Sequence, residues 1–108
     1  MSYKIEVTSL FEKQLKRLAK KFPSLKKEYG HLITLLQQDP KLGVAIGSNC
    51  YKIRLAIASK GKGKSGGARV ITHVQITKST IYLLSIYDKS EQNDIADGDL
   101  IEWIKIIE

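Results

Sequence analysis

The sequence predicts an α+β fold: a small antiparallel sheet with an N-terminal helical hairpin and a C-terminal helix, in the order β-α-α-β-β-β-α. Three observations predict it. Apolar residues recur at helical spacing between Ser9 and Pro40, the period falls to two between Tyr51 and Tyr87, and a helical stripe returns at Leu100 to Ile107. The 108 residues, 43% hydrophobic and 27% charged, have the composition of one soluble domain spanning residues 1–108.

Residues 3–8, Tyr-Lys-Ile-Glu-Val-Thr, alternate polar and apolar and favour a short opening strand. Ser9 and Glu12 have the spacing of a capping box, so a helix is expected to begin there. Phe11, Leu15, Leu18 and Phe22 form its apolar stripe, and Pro23 ends it. Ser24 opens a second helix with the stripe Leu25, Tyr29, Leu32, Ile33 and Leu36, closed by Asp39-Pro40. A join this short predicts an αα-hairpin. Residues 43–47 read as a loop. Tyr51 to Ala58, Ala68 to Ile76 and Ser79 to Tyr87 read as three strands of an antiparallel meander, rich in β-branched and aromatic residues. Residues 59–67, Ser-Lys-Gly-Lys-Gly-Lys-Ser-Gly-Gly, lack the side chains a regular element needs and read as a flexible basic loop. Asp97 is positioned to cap the last helix, with Leu100, Ile101, Ile104 and Ile107 as its buried stripe.

Charge narrows the classes of partner. Eighteen basic and eleven acidic residues give +7, unevenly placed: residues 1–89 carry 17 basic and 5 acidic groups, a net +12, and residues 90–108 carry 1 and 6, a net −5. A compact cationic body attracts polyanions. The single Cys50 forms no internal disulfide and, with only His31 and His73, suggests no metal site, so a reducing, cytoplasmic setting is expected. No apolar run is longer than that of Ile81 to Leu84, far short of the ~20 residues that cross a bilayer, and the polar start at Ser2, Lys4 and Glu6 suggests no secretion signal.

Residues 58–65, Ala-Ser-Lys-Gly-Lys-Gly-Lys-Ser, come near a nucleotide-binding P-loop, but the first glycine is alanine and a strand follows where that motif opens a helix. The strands point elsewhere. Alternation sets Lys52 and Arg54 on one face, opposite Ile53, Leu55 and Ile57, while Arg69 begins the next strand and Tyr87 and Lys89 end the last. Such cations, with a lysine-bearing loop above them, suit a phosphodiester. RNA supplies its own nucleophile, the 2′-hydroxyl, so the protein need only move protons and neutralise charge at phosphorus. Arginine forks suit the charge, and crowding by Arg54 and Arg69 is expected to favour a deprotonated Lys52 fit to act as base. Trp103 is expected to pack beside the last helical stripe, and His73 to sit mid-strand.

The segment Cys50-Tyr-Lys-Ile-Arg-Leu55, the stretch Ala58-Ser-Lys-Gly-Lys-Gly-Lys-Ser-Gly-Gly-Ala-Arg69 and the ending Tyr82-Leu-Leu-Ser-Ile-Tyr87-Asp-Lys-Ser resemble the RelE/HigB toxins of bacterial type II toxin–antitoxin systems. The resemblance covers nearly the whole chain. It implies a metal-independent mRNA endoribonuclease that works in the ribosomal A site, uses no cofactor and is held inactive by a cognate antitoxin. It also implies roles: Lys52 and Arg54 match the family's paired active-site cations, Arg69 its phosphate-binding arginine and Lys89 the cation after the last strand. Lys60, Lys62 and Lys64, the lysines of the basic loop, are the candidate RNA-binding residues. Where RelE carries a tyrosine in its C-terminal segment this chain has Ile95, and Tyr87 is the candidate replacement. A related branch, the ParE-like toxins, inhibits DNA gyrase on the same fold without catalysis; the convergent cations favour RNA.

Overall fold

The computed structural model describes residues 3–61, 66–96 and 98–107. Their elements run β1 (Lys4–Val7), α1 (Ser9–Lys21), α2 (Leu25–Gln38), β2 (Val44–Gly47), β3 (Cys50–Leu55), β4 (Ala68–Gln75), β5 (Thr80–Asp88) and α3 (Asp99–Ile107), with single 3-10 turns at Ala58–Lys60 and Ile76–Lys78. The strands form one sheet in the order β1-β5-β4-β3-β2. The expected β3-β4-β5 meander is antiparallel, but β1 pairs with β5 in parallel, so the sheet is mixed.

The helical hairpin covers one face. Phe11, Leu18, Leu25, Leu32 and Leu36 pack with Ile53, Val70, Val74, Ile81, Leu83 and Ile86, all buried. The cap of α1 is Thr8 rather than Ser9: Thr8 Oγ1 accepts the Phe11 N–H at 3.2 Å and donates to the Leu83 carbonyl at 3.1 Å, which ties the helix start to β5. Phe22 closes α1, and Asp39 closes α2 through its N–H to the Leu35 carbonyl. The opposite face carries a smaller cluster, Cys50, Ile71, Leu84 and Tyr87, against which Ile95, Leu100, Trp103, Ile104 and Ile107 pack. Trp103 thus packs as expected. Ile101 does not belong to the buried stripe: it is 59% exposed, because the helix turns Trp103 inward instead. The Asp97 cap lies outside the described residues; Asp99 Oδ2 accepts the Ala96 N–H at 3.1 Å.

Two backbone features shape the cationic side of the sheet. Residues 44–47, expected as loop, form β2 and join β3 through a two-residue turn in which Ser48 and Asn49 both have positive φ, 54° and 60°. That is the mirror-image turn whose twist suits a hairpin. Gly43 ahead of it, at φ 101°, approaches β3 so closely that a Cβ would lie 2.5 Å from the Lys52 carbonyl oxygen. In β5 the register slips by one residue: Thr72 faces Leu83 and Ile71 faces Ser85, leaving Leu84 as a bulge. The bulge reverses the alternation, so Ile86 turns to the hairpin side and Tyr87 to the side of Cys50 and Leu84. Gln14 of α1 holds the bulge from behind, its Oε1 accepting the Ile86 N–H at 2.9 Å and the Ser85 hydroxyl at 3.1 Å.

Candidate functional site

Alternation along β3 and the β5 bulge bring the expected residues onto one face. Arg54 pairs across strands with Arg69, and Arg69 with Tyr87, so the three stand in a row across β3, β4 and β5. Directly opposed residues have Cβ atoms about 5 Å apart. Lys52 lies two residues from Arg54 on the same side of β3. The row is graded in burial: Arg54 is exposed and Lys52 half-buried, whereas Arg69 and Tyr87 are 6% and 4% exposed. Arg69 Nη1 donates to the Ala68 carbonyl at 3.2 Å, which holds the guanidinium near the strand that carries it. Lys52 and Arg54 also line a groove of about 1400 Å³ between α2 and β3, with Lys27, His31, Leu35 and Val44 around it.

Sequence reasoning missed Asp94. Its Oδ1 lies 3.4 Å from Lys52 Nζ and 3.5 Å from the Tyr87 hydroxyl, at the long limit of a hydrogen bond. The only sequence signal was a carboxylate in the anionic tail of a cationic chain. Its position adds to the expected crowding of Lys52 by arginines a carboxylate in direct contact with the same side chain. The Tyr87 phenol is pushed above its ordinary pKa, by burial first and by Asp94 second, with Arg69 pulling the other way. It therefore carries its proton at neutral pH and acts as a donor.

Two expected cations are bound within the fold. Lys60 is not a projecting loop residue: its ammonium pairs with Asp88 and donates to Ser90 Oγ at 2.6 Å, and it lies 5.6 Å from the centre of the Phe22 ring. Its side chain is 9% exposed. The glycine-rich composition suggested a free loop, but the 3-10 turn at Ala58–Lys60 is fastened to the end of β5. Lys89 reaches Asn93, with Nζ 2.6 Å from Oδ1 and 3.1 Å from the carbonyl oxygen. Lys62 and Lys64 lie outside the described residues. Ile95 packs on the cluster that contains Tyr87. His73 is buried, with Nδ1 3.4 Å from Cys50 Sγ, and burial pushes that thiol up to about 11.

A family model described as the RelE toxin of the RelE/RelB toxin–antitoxin system matches residues 10–107. The chain belongs to the RelE toxin family. Solved structures agree in fold. An arginine-to-alanine double mutant of the E. coli toxin RelE in the free state is 16% identical, with a TM-score of 0.65 and 100% of both chains covered. The intact E. coli RelBE toxin–antitoxin complex gives 16% identity and a TM-score of 0.60 over 81% of this chain and 96% of the other. A RelBE toxin–antitoxin complex from Mycobacterium tuberculosis gives 13% and 0.56 over 82% and 92%. At such identities the RelE likeness is one of fold. Among the described residues of this RelE-family toxin, no group of three or more His, Cys, Asp or Glu is placed to hold a metal, and no helix is long and apolar enough to cross a membrane.

Proposed function

We propose that this toxin is a metal-independent, ribosome-dependent mRNA endoribonuclease that inhibits translation, working in the A site of cytoplasmic ribosomes. The observation that carries the reading is the row of Arg54, Arg69 and Tyr87 across three strands, with Lys52 beside it. The RNA 2′-hydroxyl gives up its proton to solvent water and attacks the adjacent phosphorus, forming a 2′,3′-cyclic phosphate as the bond to the 5′-oxygen breaks. Arg54 and Arg69 pair with the phosphate oxygens as negative charge builds there, and their forked, permanently charged groups suit that task without a cofactor. Tyr87, protonated in its buried setting, donates to the departing 5′-oxygen. Lys52, at the open end of the row, binds the phosphate.

Translation-coupled cleavage of mRNA by the purified protein tests this. Lys52→Ala and Arg69→Ala are each expected to lower cleavage by about 100-fold or more, the scale of losing one group that stabilises the transition state. Since Arg69 is buried, the half-exposed Lys52 provides the variant least burdened by folding. Uncut mRNA together with loss of DNA supercoiling would replace the proposal with gyrase inhibition.

A cognate antitoxin neutralises the toxin in this reading, supported by the solved toxin–antitoxin complexes that share the fold. It covers the cationic face or displaces α3, whose residues are none of them fully buried. Hydrogen exchange is expected to show altered protection at Lys52–Arg54 or along α3 on complex formation; unchanged exchange at both would contradict it.

A further inference from the structure

Asp94 has no part in the reaction just described, yet its carboxylate lies inside the site. Oδ1 contacts Lys52 Nζ and the Tyr87 hydroxyl from the segment between β5 and α3, and the same oxygen accepts the Ile95 N–H at 2.8 Å, which fixes its direction. A carboxylate oxygen that meets an ammonium and a hydroxyl offers the negative charge and acceptor character of a phosphodiester. We propose that Asp94 is a resident stand-in for the substrate phosphate: it occupies the Lys52–Tyr87 donor pair in the empty toxin and is displaced from it by RNA.

This rests on the RNA reading and adds to it a residue that sets affinity. Displacement is feasible because the side chains of Asp94 and Lys52 are 60% and 31% exposed, so solvent weakens their attraction. A phosphodiester that also reaches Arg54 and Arg69 has more partners than the carboxylate it replaces. Proton transfer is the poorer role for Asp94. The Ile95 amide first, with Lys52 and Tyr87, holds its carboxyl below the usual range against a smaller effect of burial, and a carboxylate so stabilised is a weak base.

The test is binding of a 2′-O-methyl oligoribonucleotide, which lacks the nucleophile, to the free toxin, read by fluorescence anisotropy. Asp94→Asn is expected to bind about two- to fivefold more tightly, the range set by loss of one exposed ion pair. The exposed Glu12 of α1 lies in the layer behind the sheet, so Glu12→Gln makes the same change in net charge and is expected to gain less. In a Lys52→Ala background the benefit of Asp94→Asn is expected to fall to the Glu12→Gln level. Equal or weaker binding by Asp94→Asn, or a gain that persists undiminished without Lys52, overturns the stand-in role while RNA binding by the wild type upholds the site. Failure of every variant to bind, with mRNA left intact during translation, overturns both.

Discussion

Asp88 ends β5 as a buried carboxylate, 1% exposed, joined to Lys60 and to the Ser90 N–H at 2.9 Å. Burial pushes its carboxyl up, but the Lys60 ammonium, the Ser90 amide and the nearby Lys21 together pull it further down, leaving it below the ordinary value. A carboxyl depressed in the folded state stabilises the fold above its unfolded value, about 4, and that stability is lost as pH falls through the lower folded value. Melting temperatures measured between pH 2 and 6 are therefore expected to fall on acidification in the wild type, and Asp88→Asn to lack this portion of the fall. At pH 7 the same substitution is expected to cost about 3 kcal/mol, the lower end for breaking a buried pair, since the long Lys60 side chain has a path to solvent. Lys60 also shows where reading residues one at a time stops. Its place among glycines suggests a solvated cation, and nothing in spacing reveals a partner 28 positions away.

Gly43 links the β2 hairpin to the site at the scale of elements. In Gly43→Ala the new methyl would lie 2.5 Å from the Lys52 carbonyl and 2.9 Å from Ile53 Cγ1, on a backbone already at φ 101°. Combining about 1 kcal/mol for the left-handed backbone with a packing conflict of similar size gives a loss on the order of 2 kcal/mol, measurable as a lower urea midpoint. The helices were legible because each buries one face and so repeats at 3.6, and the meander because its runs of β-branched and aromatic residues are bounded by turn signals, although β4 and β5 are buried on both faces. β2 was not. It is a four-residue, mostly exposed edge strand, and its Ser48-Asn49 turn lacks the glycine that usually marks such a hairpin. The β5 bulge was equally hidden, since Ile81 to Leu84 is apolar on both faces and carries no register information.

Across the whole molecule, the cationic body and the anionic tail are folded against each other. Glu91 meets Arg17 of α1 at 3.0 Å, and Asp94 meets Lys52. The segregation of charge was plain in the sequence, and so was the placing of Lys52 and Arg54 on one side of their strand; which acid folds back onto which base depends on three-dimensional closure. RNA binding by this surface is expected to weaken with salt. If Lys52, Arg54 and Arg69 together neutralise the one phosphate they converge on, the logarithmic slope for a single strand is about −0.7, a loss of about 2.5-fold between 50 and 200 mM salt. Titrations of a non-cleavable oligonucleotide at several salt concentrations check this, and a flat response would speak against phosphate contacts.

Gln14 gives the bulge a further meaning. The tyrosine that faces one side of the sheet owes its aim to an amide rooted in a helix on the other, three layers of side chains linked through two hydrogen bonds. Laboratory evolution that varied only the visible surface of the toxin would leave this control untouched. Libraries built in α1, by contrast, would alter toxicity from the opposite side of the sheet to the cations, and their effects would depend on whether β5 kept its extra residue at Leu84.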